Sequence, residues 1–277
     1  AITTDKSDLY LYDRQTKSVK KLSNDHEANW APQAFEKDDA ALFYTTNDGS
    51  EFSYLVKYDL KTGNTSTIYK TSWDVAGMGL SEHQKYHSIS INEDGRYKTL
   101  IFDHATGKQI DLPAIRDGDI KSADFSLSEK NILLSVGSSR SPDNLYIYNF
   151  EQKALKPITR TLNPEININD LASAEVVHFK SFDGRDIPAI YYKPLNASKE
   201  HPVPAMLWIH GGPGGQTTAD FDNDIQFLVN HGYAVLAVNN RGSSGYGKTF
   251  YKLDNKDHQN GDLKDCIWGK KWLQQQD

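Results

Sequence analysis

This sequence predicts a partial β-propeller followed by the first part of an open α/β sheet. Three observations predict it. The first roughly 170 residues repeat themselves, the residue grammar changes near position 173, and two glycine-rich loops each follow a buried apolar run.

The repeat is visible in "LYLYDRQTKSVKKL", "YLVKYDLKTGNTSTIY", "TLIFDHATGKQIDL" and "NLYIYNFEQKALKPIT". Each is an alternating apolar strand ending in an aromatic followed by Asp or Asn, then a polar turn and a second strand. The anchoring pairs Tyr12-Asp13, Tyr58-Asp59, Phe102-Asp103 and Tyr148-Asn149 are spaced 46, 44 and 46 residues apart. Between them lie further strand candidates, "AALFYTT", "YHSISIN" and "NILLSVG". Four short strands in about 45 residues is the period of a propeller blade, and blades stack because none can bury both faces alone. A β-sandwich or barrel of regular hairpins is the competing architecture. The constant phase of the aromatic-Asp anchor favours about four blades of ~46 residues, placed at 1–172.

From 173 to 277 the pattern changes. "HFKSFDGRDIPAIYYKP" reads as two strands joined at Asp183-Gly184. "AMLWI" and "YAVLAV" read as buried strands, and "TADFDNDIQFLVNHG" as a helix through Phe221, Ile225, Leu228 and Val229 that stops at Gly232. "DLKDCIWGKKWLQQQ" reads as an amphipathic helix with Leu263, Ile267 and Leu273 on one side. Buried strands alternating with helices predict a parallel α/β sheet.

Both glycine-rich loops fall at carboxyl ends of strands, where open α/β sheets put their sites. In "HGGPGG", His210 to Gly215, consecutive glycines let backbone N–H groups converge on a developing oxyanion, as in the HGGG-type loop of α/β-hydrolases. Taken alone, the motif reads equally as a tight turn. His210 reads as a loop-shaping residue, since a triad His comes last in this fold. The second loop is "NNRGSSGYGKTF", Asn239 to Phe250. There Arg241 would offer a fixed fork to a carboxylate or carbonyl, or would pair with a nearby acid.

Together, "FDGRDIPAIYYKP", "WIHGGPGG" and "NNRGSSGYGKTF", following a propeller-like repeat, resemble the prolyl oligopeptidase family of serine peptidases. The HGGP form is most similar to its acylaminoacyl-peptidase branch. The resemblance implies hydrolysis of short peptides by a Ser, Asp, His triad on an α/β-hydrolase domain capped by the propeller. It implies Gly212 as oxyanion donor through its backbone N–H, and Gly211, Arg241 and Tyr246 at the substrate site. It implies no cofactor and no metal.

No G-x-S-x-G elbow occurs in the sequence; around Ser244 it reads "GSSGY". The expectation is therefore an internal piece of a longer enzyme, inactive by itself, whose triad lies beyond Asp277. Neither His231 nor His258 has a visible triad partner. An esterase of the same fold and a non-catalytic propeller that binds peptides or proteins are the alternatives.

Net charge of −6 argues against a sequence-independent grip on nucleic acid. No apolar run approaches the ~20 residues of a membrane helix. The nine histidines show no metal-ligand spacing, and the single Cys266 reads as a buried inert thiol. A homo-oligomer is compatible with the sequence. The expected form is soluble, with cytoplasm and periplasm both open.

Overall fold

The computed structural model describes residues 6–116, 118–212, 214–255 and 259–276. Its first part is a series of small antiparallel sheets in chain order. β1 (Tyr10–Tyr12) pairs with β2 (Val19–Lys21). β3 (Trp30–Phe35), β4 (Ala41–Thr46), β5 (Tyr54–Asp59) and β6 (Thr65–Tyr69) form a four-stranded meander. β7 (Asp74–Leu80), β8 (Tyr86–Glu93) and β9 (Arg96–Asp103) form a three-stranded sheet. β10 (Asp119–Phe125), β11 (Asn131–Ser138), β12 (Ser141–Asn149) and β13 (Ala154–Pro157) form a second four-stranded meander.

The repeated aromatic-Asp pair has a physical cause. Each pair ends the strand that precedes the last turn of its unit: β1, β5, β9 and β12. The acidic side chain then folds back as an Asx turn. Asp13 Oδ1 accepts from the N–H groups of Gln15 and Thr16, and Asp59 Oδ1 from those of Lys61 and Thr62. Asp103 Oδ1 accepts from the Thr106 N–H, and Asn149 Oδ1 from that of Gln152. These donors hold the three Asp carboxyls below their ordinary range, the Thr16 amide leading at Asp13, the Thr62 amide at Asp59 and the Thr106 hydroxyl at Asp103. The aromatic partner packs inward at Tyr58, Phe102 and Tyr148, whereas Tyr12, on the two-stranded sheet, is 56% exposed.

One expected strand is nearly absent. After Asp103 the second strand shrinks to a single bridge between Phe102 and Gln109. The chain beyond it runs into Pro113, which cannot donate to a ladder.

Neighbouring sheets bury their faces against each other. Phe43 and Leu55 of one meander share a cluster with Val75, Ile89, Ile91 and Phe102 of the next sheet. Ile101 packs with Ile132, Leu134, Val136, Tyr146 and Tyr148 of the sheet after that. No sheet supplies a core by itself, which is the logic of stacked repeats.

The last sheet contains β14 (Ala174–Lys180), β15 (Asp186–Tyr192), β16 (Ala205–Ile209) and β17 (Ala234–Val238) in the order β14-β15-β17-β16. It is mixed rather than parallel. β14 and β15 are antiparallel, as are β15 and β17; only β16 and β17 run parallel. The tight turn at Asp183-Gly184 forces the first pairing, since a parallel pair needs a long crossover. Helix α1 (Asn223–Asn230) is that crossover between β16 and β17. It starts from the Asp222 N-cap, so Phe221 precedes it. Ile225 and Val229 of α1 pack against Ile190, Tyr192 and Val235 on one face of the sheet. Phe179, Ile187, Leu236 and Val238 form the core of the other face with helix α3 (Gly261–Leu273). The short helix α2 (Lys248–Tyr251) lies between β17 and α3.

Helix α3 corrects the expected face. Leu263 and Ile267 are 54% and 43% exposed, while Asp265, Cys266 and Gly269 are buried. Leu273 and both its Trp residues pack against the core. Two local requirements override the apolar pattern. Asp265 must reach Arg241, and a Cβ at Gly269 would stand 3.2 Å from Phe179 and Val238, so the helix approaches the sheet through its glycine. Cys266 is buried as expected, and burial pushes its thiol up to about 11.

The blade-like sheets meet the last sheet across a hydrogen-bonded seam. Gly95, at the tip between β8 and β9, accepts from Ala219 N–H at 2.8 Å, and Asn92 donates to Gln216 at 2.7 Å. Glu51 accepts from the Thr249 amide and hydroxyl, and Lys252 pairs with Glu27 at 2.9 Å.

Candidate active site

The two parallel strands β16 and β17 end side by side, and the loop after each is tied to the other. From the β17 side, Asn239 is fully buried; its Oδ1 accepts from Thr217 N–H at 2.7 Å and its amide donates to the Thr217 carbonyl at 2.9 Å. Ser244 N–H donates to the Gly215 carbonyl at 3.0 Å. His210 Nε2 lies 2.8 Å from Ser243 Oγ, and its Nδ1 faces the Gly211 carbonyl at 3.2 Å. His210 thus sits where a loop-shaping residue would.

The pair Ser243–His210 invites a nucleophile-and-base reading, which its geometry contradicts. Ser243 is fully buried, and its hydroxyl donates to the Asn240 carbonyl at 2.6 Å. With its one proton so placed, Ser243 accepts from His210, the reverse of what a base needs.

Within "HGGPGG", Gly211 and Gly212 are exposed, and Gly212 has φ +93°, which favours glycine. Their N–H groups have no partner among the described residues. Pro213 lies outside the described residues, as does His258.

Arg241 does not face an open pocket. Its guanidinium is bidentate to Asp265, with Nε to Oδ2 at 2.9 Å and Nη2 to Oδ1 at 2.8 Å. The opposite edge meets Asp183 at 3.1 and 3.2 Å, and the Phe182 ring lies 4.7 Å away. The backbone N–H of Arg241 and the Ser181 hydroxyl also donate to Asp265. Burial pushes the Asp183 carboxyl up, but hydrogen bonds from Arg241 outweigh it and hold it below its ordinary value. Of the two readings the sequence allowed, the side chain follows the second: it pairs with acids and pins the loop.

Tyr246 points into the seam. Its hydroxyl accepts from Asn239 at 2.8 Å, and its ring meets Trp73 edge-on at 6.4 Å and Phe250 at 5.5 Å. Burial raises the hydroxyl above its ordinary range, so it stays protonated. Gly211 and Gly212 are exposed, Tyr246 is turned into the seam, and Arg241 is committed to Asp265 and Asp183.

Sequence reasoning missed Asn239, Ser243 and Asp265. Asn239 and Ser243 stood in plain view as polar residues directly after an apolar strand. Asp265 had only one signal, an acid inside a helix pattern beside a cysteine.

Residues 219–277 match the model of the prolyl oligopeptidase family. Over that stretch the chain resembles members of the family. It is 25% identical over 255 residues to dipeptidyl aminopeptidase BIII of Pseudoxanthomonas mexicana, covering 89% of this chain and 37% of that one. It is 22% identical over 268 residues to dipeptidyl-peptidase 5 of Porphyromonas gingivalis, covering 94% and 39%. Among solved structures, a prolyl endopeptidase superposes with a TM-score of 0.81 at 17% identity, over 97% of this chain and 39% of its own. A puromycin-hydrolyzing peptidase of Mycobacterium tuberculosis superposes at 0.79 and 17% identity, over 92% and 40%. The chain thus spans well under half the length of these relatives, and its fold is theirs: propeller-type sheets joined to a hydrolase sheet.

Proposed function

We propose that this chain is part of a serine peptidase of the prolyl oligopeptidase family, supplying its propeller and oxyanion loop, and that the whole cleaves short peptides through an acyl-enzyme. In this reading residues 1–172 form about four blades, and 173–277 the first part of the α/β-hydrolase domain. One observation carries it: Gly211 and Gly212 present unpartnered, exposed N–H groups at the carboxyl end of β16. Donors fixed in place before the reaction stabilise a tetrahedral oxyanion without reorganising. Gly212 is the donor, Gly211 and Tyr246 border the substrate, and Arg241 holds the loop rather than the peptide.

The nucleophile is assigned outside these residues. No serine here stands in a G-x-S-x-G elbow, and Ser243 is turned away from solvent. The chain alone is therefore expected to be inactive. Short peptides are its expected partners, with no nucleic acid, no cofactor and no membrane; among the described residues, no helix is long and apolar enough to cross one.

The test is Gly212→Pro in the longer protein that carries an elbow. Loss of one oxyanion donor lowers kcat by ~10²–10³ and weakens a boronate transition-state analogue while leaving substrate KM little changed. A folded variant that keeps its turnover rejects the assignment.

A further inference from the structure

The loop that presents Gly211 and Gly212 is rich in glycine, and glycine backbones give up the most conformational freedom when they are fixed. Groups outside the loop must therefore hold it. We propose that Asn239 is a positioning residue for acyl transfer: its side-chain amide fixes the exit of this loop and so keeps the Gly211 and Gly212 N–H groups in one place. The inference rests on the oxyanion reading above and adds a residue to it.

Asn239 is the first residue after β17 and is fully buried. Its own N–H donates to the carbonyl of Pro188 at 3.0 Å, which ties its backbone to β15. From that fixed point the side chain grips Thr217 twice, accepting its N–H at 2.7 Å and donating to its carbonyl at 2.9 Å. The amide also donates to the Tyr246 hydroxyl at 2.8 Å. Both amide hydrogens are thus used, and a flipped amide would set a donor against the Thr217 N–H.

The grip reaches the glycines by contact. Thr217 follows closely on Gly215, whose carbonyl accepts the Ser244 N–H at 3.0 Å. The chain folds back so tightly there that a Cβ on Gly215 would stand 2.5 Å from the Gly211 carbonyl oxygen and 3.0 Å from His210 Nδ1. A shift of Thr217 that carries Gly215 with it is therefore felt at Gly211. At the entry of the loop the matching tie is His210 to Ser243, at 2.8 Å. Both ties come from the segment after β17, so the parallel partner strand holds the oxyanion loop at its two ends. Placement of this kind matters to rate, since a misplacement of about 1 Å can cost 10²-fold.

The isotopically labelled chain is compared with Asn239→Ala by amide hydrogen exchange and the heteronuclear NOE. In the parent, Thr217 is protected, and Gly211 and Gly212 are as rigid as the strands beside them. In Asn239→Ala, Thr217 exchanges about tenfold faster, the scale of the hydrogen bond removed, and the NOE of both glycines falls while α1 and β15 stay as in the parent. In the longer protein that carries an elbow, the same variant lowers kcat by about 10²-fold with KM little changed, and weakens a boronate transition-state analogue to match. A purely structural amide would lower stability and leave loop order and kcat alone. Glycines as ordered in folded Asn239→Ala as in the parent, or kcat kept, overturns the proposal. Gly212→Pro separates the two readings. Turnover lost there and kept in Asn239→Ala rejects the positioning alone; turnover kept in Gly212→Pro rejects the oxyanion reading and this inference with it. Asn239→Asp carries the test if Asn239→Ala does not fold. Its carboxylate cannot donate to the Thr217 carbonyl and its protonated acid can, so order at the two glycines, relative to the parent at the same pH, should rise as pH falls. No such rise overturns the proposal.

Discussion

Arg241 and Asp265 lie 24 residues apart in the chain and meet through two parallel hydrogen bonds of 2.9 and 2.8 Å. Both side chains are buried, Asp265 completely. Removing Arg241 strands the Asp265 charge, whereas Arg241 without Asp265 keeps Asp183, so Arg241→Ala should cost about 3–5 kcal/mol in urea unfolding and Asp265→Ala less. Replacing both by apolar residues of similar volume should cost less than either single change. Single variants within about 1 kcal/mol of the parent would show that the pair does not anchor the loop.

Ser243 should behave as a structural residue. A fluorophosphonate should leave the purified chain without a stoichiometric adduct, because this hydroxyl is buried and already donates to Asn240. A single adduct mapped to Ser243, or to any serine of the chain, would show that the nucleophile has been misplaced.

His87 sets an acid limit on the blade sheets. It is 4% exposed and stacked on Phe102 at 5.0 Å, with His104 3.2 Å away, nitrogen to nitrogen. Burial first, and then the charge of His104, lower it from 6.5 to about 4. Between those values the unfolded chain binds the extra proton, so stability is complete above pH 6.5 and falls as pH drops toward 4. The loss attributable to His87 is on the order of 3 kcal/mol. His87→Phe should flatten that part of the stability–pH curve; an unchanged slope would assign it elsewhere.

Gly269 tests the close approach of α3. Its Cβ would stand 3.2 Å from Phe179 and Val238, a distance the neighbours can relieve only by shifting. Gly269→Leu should destabilise by about 1–3 kcal/mol through overpacking. Gly269→Ala should lie near neutral, because a helix-propensity gain of about 1 kcal/mol opposes the crowding. A Leu variant as stable as the parent would mean that the helix is free to move outward.

The proposed division near 172 predicts a preferred proteolytic site. Residues 163–170 are exposed throughout, whereas Leu171 and Ala172 are buried and Ala172 N–H donates to Gln226. Limited trypsin or thermolysin digestion should cut in 160–170 before any strand of the sheets. First cuts inside β5 or β11 would defeat the two-unit division.

The sequence by itself determined the phase of the repeat and its strands, except the one after Asp103 that shrinks to a single bridge. The Asx turns at Asp13, Asp59 and Asp103 are local, each spanning two or three residues, so the repeat that encodes them can be read without knowing any neighbour. The same holds for the hairpin at Asp183-Gly184 and for the two loops after apolar strands. Tertiary structure decided what those elements meet. Alternating strands and helices do not encode strand direction, so the mixed order β14-β15-β17-β16 came only from pairing. Leu263 and Ile267 lost the inner face of α3 because Asp265 and Gly269 had partners on the sheet side, a choice invisible to apolar periodicity. Arg241 was legible as a fork for carboxylates, but its carboxylates are 24 and 58 residues away along the chain. A residue's chemistry is written locally, while its partner is chosen by the fold that brings distant segments within hydrogen-bond reach.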